Sequence, residues 1–280
     1  MTDSSKFRKT IDLLPGDLYV EILKSFRKFG VFGCQIAIIR EIDGEVEPLG
    51  VSYPIGTLDG KTDVVGEDIF PLGGSTLFIA LVALHKALEL KGYSLTTPLK
   101  EVVSEMTLLD NGIDETKNCV DILNHKKCTS GEIDENAKKI IEQLSKKDYV
   151  TFVQEEVLTA CNMKCSKIEQ GKVWSNGRDL LKFHCNPQFS KLYGHILIED
   201  HQSSSQSRLV KSTYAGVEVY EIESEDDQYG NLTVILGGHR TQLIVLYKKS
   251  DGKQGREKED FVAWLKPRLI EHLSKLVVQQ

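Results

Sequence analysis

The chain between Pro15 and Lys28 reads as an amphipathic helix, with Leu18, Val20, Ile22, Leu23 and Phe26 supplying apolar contacts. Pro15 suits a first helical turn, and Gly30 ends the segment. Residues 35–40 read as a buried strand, with 47–53 as its hairpin partner across Asp43 and Gly44. A long apolar run, Ile79 to Leu84, follows Ser75 and predicts a buried helix reaching about Leu90 and stopped by Gly92. A short helix is expected at 99–103. From 118 to 183 the pattern is almost wholly helical, with segments at 120–124, 135–144, 149–159 and 176–183. Strands return at 217–222, 232–236 and 243–247, and a helix over 257–277 closes the chain.

This order predicts an α+β fold: one antiparallel sheet assembled from both ends of the chain, flanked by helices, with a helical lobe inserted. A single domain of residues 1–280 is expected. Within it, 15–74 and 208–280 supply the sheet and flanking helices, and 75–207 the lobe with the central helix. A ligand would enter the cleft between lobe and sheet, and the serine-rich run 203–207 reads as a loop at that boundary.

Composition narrows the function classes. The 280 residues carry 35 Lys and Arg against 41 Asp and Glu, a net charge of −6, with signs mixed along the chain. Nucleic-acid binding, which leaves a basic stripe, is not expected. No apolar run reaches the roughly 18 residues of a membrane span, and the start Met-Thr-Asp-Ser-Ser-Lys has no signal-peptide core. A cytoplasmic protein without membrane association is expected. The six cysteines, Cys34, Cys119, Cys128, Cys161, Cys165 and Cys185, read as free thiols. Cys161 and Cys165 are a close pair without a second pair of ligands nearby, so neither metal nor cofactor is expected.

Ser75 carries the sharpest chemistry. A serine opening a buried helix sits where unpaired N–H groups and the helix dipole favour developing negative charge, which is where acyl-transfer enzymes place a nucleophile. Three positions on, where a hydrolase of this design would carry a lysine base, stands Phe78. The competing structural reading makes Ser75 a helix N-cap and Phe78 core packing.

Several segments then match, in order, a known superfamily. Gly74-Ser75 with Ala83-Leu84, Gly92 and Leu95-Thr96-Thr97-Pro98 resembles a nucleophile helix with an "L-D-D-P" exit. Asp121-Ile122-Leu123-Asn124-His125 with Thr129-Ser130-Gly131 resembles an "LL-x-H-T-S-G" segment. The helix from Tyr149 leading to Asn162-Met163 resembles one ending in "PLGM", and 173–183 resembles an "S-T-A-x-D-L-A-R-F" helix. The chain thus resembles the serine β-lactamase and penicillin-binding-protein superfamily, in its class C β-lactamase-related branch.

The resemblance implies three catalytic motifs: S-x-x-K, Y-x-N, and K-T-G or H-x-G. The first is Ser75-Thr76-Leu77-Phe78, without its lysine. The second should lie between Gly131 and Tyr149, an interval with no tyrosine. The third falls at Leu236-Gly237-Gly238-His239 or at Val210-Lys211-Ser212. Candidate catalytic residues are therefore Ser75 and His239, with Gly237 and Gly238 lining a substrate position. His125 reads as structural, and Asp179 as a cap or a charge complement to a helix dipole. The expected function is a catalytically degenerate relative that binds a small molecule or peptide in the cleft, or contacts a protein partner or a second copy. A serine hydrolase of altered mechanism, acting on an ester or amide, is the alternative.

Overall fold

The computed structural model describes residues 13–40, 49–103, 118–119, 135–190, 192, 210–214, 216–236, 241–250 and 260–278. Helix α1 (Gly16–Phe29) starts after Pro15 and ends at Gly30, whose φ of 64° is the left-handed cap that glycine adopts without steric cost. It leads into β1 (Val31–Arg40), paired with β2 (Leu49–Gly56). The predicted turn at Asp43 and Gly44 lies outside the described residues.

The six-stranded antiparallel sheet has the order β2-β1-β9-β8-β7-β6. Its late strands are β6 (Val210–Tyr214), β7 (Val217–Glu225), β8 (Tyr229–Leu236) and β9 (Thr241–Lys249). The first strands of the chain thus pair directly with the last. Side chains alternate between two cores. Ile36, Ile38, Val234, Leu243 and Val245 pack with α1 and the closing helix, Phe261–Val278, whose Phe261, Leu265 and Leu269 are buried. Ala37, Ile39, Ile222, Ile235 and Ile244 face the opposite way, toward the central helix α2 (Thr76–Glu89). Apolar cover on both faces explains why these strands read as unbroken hydrophobic runs.

Helix α2 is buried on every side over its first turns, from Thr76 through Leu84, as its unbroken apolar sequence requires. It packs on α4 (Glu135–Ser145) and on the segment α5 (Tyr149–Val153), which continues in wider turns through Gln154–Thr159. Between them in sequence, α3 spans Leu99–Val102. The helix expected at 120–124 and the serine-rich run 203–207 lie outside the described residues.

The stretch 118–183 is less helical than its pattern suggests. It contains a hairpin, β4 (Lys167–Glu169) and β5 (Lys172–Ser175), turned at Gln170 and Gly171, both with positive φ. The hairpin pairs with the two-residue strand β3 (Phe70–Pro71), forming a second small sheet. Its residues alternate polar and apolar over too short a span to outweigh the helical periodicity around it. Helix α6 (Gly177–His184) then lies against β1 and β2. Buried Gln35 of β1 fixes that contact: its Oε1 accepts from Gly177 N–H at 2.7 Å, and its Nε2 donates to the carbonyls of Val65 and Asp68.

Candidate functional site

The small sheet delivers the chain to the start of α2. Leu72 N–H donates to the Val173 carbonyl at 2.9 Å, and the next three residues, Gly73–Ser75, form one tight 3-10 turn. Gly73 has φ of 48°, and a Cβ there would run into Asn231 Nδ2 and Ser224 Oγ. Gly74 has no such backbone demand. It is held by proximity instead: a Cβ would stand 2.6 Å from Ile222 Cγ2, so only glycine fits without a neighbour moving.

A buried hydrogen-bond network stitches this turn to β7 and β8. Gly74 N–H donates to Ser224 Oγ at 2.7 Å, and Asn231 Nδ2 donates to the same oxygen at 2.7 Å. Ser75 Oγ donates to Asn231 Oδ1 at 3.2 Å and lies 2.6 Å from Thr233 Oγ1. Ser75 is 3% exposed. It holds the N-cap position of α2, but its side chain makes no capping bond to the first turn; the hydroxyl points across to β8 rather than back at its own helix.

The groups around Ser75 are amide and hydroxyl, and none of its hydrogen-bond partners here can take up a proton near neutral pH. One turn on, Phe78 is 1% exposed and meets His184 edge-on, with ring centroids 5.5 Å apart. Burial pushes His184 down to about 3, with a hydrogen bond to Gln242 opposing that shift. The imidazole is neutral at physiological pH, and its partner is Gln242 of β9.

The other sequence candidates divide. His239, Gly237 and Gly238 lie outside the described residues, as do His125 and Thr129-Ser130-Gly131. The triplet Val210-Lys211-Ser212 is not among the hydrogen-bond partners of the Ser75 hydroxyl. It sits on the edge strand β6, where Lys211 Nζ pairs with Glu218 at 2.9 Å and Ser212 Oγ donates to Glu221 at 3.2 Å. Asp179 is more than a charge at a helix start, because Asn176 provides the cap of α6. The Asp179 carboxylate gathers the N–H groups of Cys165 and Ser166, the Ser166 hydroxyl and Lys182 Nζ, all within 3.0 Å, and so clips the 165–166 turn to α6.

Among the described residues no group of three or more His, Cys, Asp or Glu could hold a metal ion. Cys161 is buried, its thiol pushed up to about 11 by that burial, and its sulfur accepts from Asn186. No helix among the described residues is long and apolar enough to cross a membrane.

Solved structures place this geometry. A D-amino acid amidase from Ochrobactrum anthropi SV3 superposes with TM-score 0.63 at 14% identity, over 92% of this chain and 97% of that one. A class C β-lactamase from Rhodobacter sphaeroides gives 0.60 at 12% identity, over 91% and 99%. A β-lactamase/D-alanine carboxypeptidase from Yersinia pestis gives 0.60 at 10%, over 90% and 99%. The chain has the serine β-lactamase and penicillin-binding-protein fold. No protein-family model and no curated protein sequence matches it. Within the β-lactamase fold, sequence reasoning found the helix start but missed Ser224, Asn231 and Thr233. The signal that could have marked the seam was the glycine pair ahead of a buried helix, a sign of close backbone approach.

Proposed function

We propose that this chain is a non-hydrolytic member of its fold, retained as a binding or scaffold protein. One observation carries the reading: Ser75 Oγ is held between Asn231 and Thr233, sealed from solvent, with Phe78 where an amine base would stand. A serine hydroxyl without a general base forgoes roughly 10² to 10⁴ in rate. The gap between the start of α2 and β7 also leaves no room for a side chain at Gly74.

Covalent labelling tests this. Incubation with a fluorophosphonate and with a penicillin-type probe, read by intact mass, is expected to leave the protein unmodified. An adduct mapped to Ser75 and abolished in Ser75→Ala would overturn the proposal. It would establish instead an esterase or amidase of altered mechanism; an amidase and β-lactamases are among the solved structures of the same fold.

A further inference from the structure

A cavity of about 140 Å³ lies beside the stitched turn, between the β4–β5 hairpin and the turn joining β7 to β8. Gly73, Ser224 and Asn231 line it on the α2 side, Tyr229 forms an aromatic wall, and Lys172 and Asp226 bring opposite charges to it. Asn231 is buried, whereas Lys172 and Asp226 are 35% and 46% exposed, so the cavity has a polar floor and a charged rim. At roughly 30 Å³ per water molecule, the space suits a ligand of about five non-hydrogen atoms.

The charges select the ligand. Glu225, also at the rim, is already taken by Tyr247 hydroxyl and Lys249, each at 3.0 Å. Asp226 uses one oxygen, Oδ1, to accept the N–H groups of Gln228 and Tyr229, and turns Oδ2 toward Lys172. That pair is loose at 3.5 Å, and a half-exposed ion pair contributes only ~0–1 kcal/mol, so opening it costs little. A lone anion would capture Lys172 and leave Asp226 unpaired; a lone cation would do the reverse. A molecule carrying both charges replaces the pair without leaving either side chain unmatched.

We propose that this cavity binds a compact zwitterion, its carboxylate on Lys172 Nζ, its ammonium on Asp226 Oδ2 and its short carbon chain against Tyr229. The site deepens the binding role argued above, on which its biological meaning rests, but it does not involve the Ser75 hydroxyl. Trp174 lies edge-on to Tyr229 with centroids 5.6 Å apart and offers a fluorescence reporter.

Glycine and β-alanine serve as probes in a titration of the full chain, followed by Trp174 fluorescence and amide NMR shifts, with acetate and methylammonium as controls. Saturable binding is expected in the millimolar range, with shifts at Gly73 and Tyr229 and at least about tenfold weaker binding of either control. Lys172→Met and Asp226→Asn should each weaken binding by about tenfold or more. Asparagine keeps the Oδ1 acceptor that holds the turn, and Lys172→Met alone decides if the other variant fails to fold. No saturable signal, acetate or methylammonium binding as tightly as glycine, or unchanged affinity in Lys172→Met would overturn the site. The labelling result is read separately: an adduct at Ser75 with glycine still bound removes the non-hydrolytic reading alone, and the absence of both removes this site alone.

Discussion

The Ser75 hydroxyl has one proton, and the geometry directs it to Asn231 Oδ1, so Thr233 must donate to Ser75 in turn. Each of these groups is buried, and each satisfies another. Ser75→Ala would strand the Asn231 carbonyl and the Thr233 hydroxyl, at about 1–3 kcal/mol. Adding Thr233→Val should cost less than the sum of the two single changes, because one orphan leaves with its partner. Urea unfolding of the four proteins measures this, and strictly additive losses would contradict the network. His184 gives a pH signature at the same scale. Its ordinary value is 6.5, and in the fold it falls to about 3. Between those limits the unfolded chain binds a proton that the native state refuses. Stability present above pH 6.5 is therefore lost as pH falls toward 3, with a slope from this group of up to about 1.4 kcal/mol per pH unit. His184→Phe should flatten the stability profile between pH 6 and 4, relative to the parent, by about that slope; an unchanged profile would mean that the imidazole is solvated.

The 3-10 turn ahead of α2 meets β7 through Gly73 and Gly74, so closely that a Cβ at either would displace a neighbouring side chain. Gly74→Ala places a methyl 2.6 Å from Ile222 Cγ2, so the helix start must lift or Ile222 must repack, at about 1–3 kcal/mol. The variant is expected to lower the melting temperature by several degrees, while Gly92→Ala, whose Cβ meets nothing within 4 Å but whose φ is 74°, suffers only backbone strain. Equal losses in both would show that the seam is looser than its distances indicate. This seam was only half legible in the sequence. The apolar run after Ser75 announced the helix, and Pro15 and Gly30 bounded α1 to within a residue, because capping and periodicity are local. Lys167-Ile168-Glu169 and Lys172-Val173-Trp174 gave no comparable signal, since a hairpin of two short strands has too few positions to show its alternation. β6 escaped for a related reason: as an edge strand with exposed side chains over most of its length, it carries little hydrophobic pattern to detect.

At the scale of the molecule, the sheet joins the two ends of the chain, and alternating residues serve two separate cores. That architecture could be inferred from the strand runs at both ends with helices between them, and the amidase and lactamase structures share it at 10–14% identity. The partners of Ser75 were another matter. Asn231 and Thr233 lie 156 and 158 positions away, and nothing local in either segment points to the other. The pairing of β8 with β7 and β9 sets which of their side chains face α2, and this follows only once the whole sheet is assembled.

The mutual satisfaction of Gly74, Ser224, Asn231, Ser75 and Thr233 also shapes what sequence change can do here. Any one replacement that frees the serine leaves a stranded dipole in the interior before it offers reactivity in return. A lysine at position 78 alone would bury an unmatched charge beside His184. The seam therefore acts as a ratchet: an open, reactive pocket is reachable only if several positions on three distant segments change together.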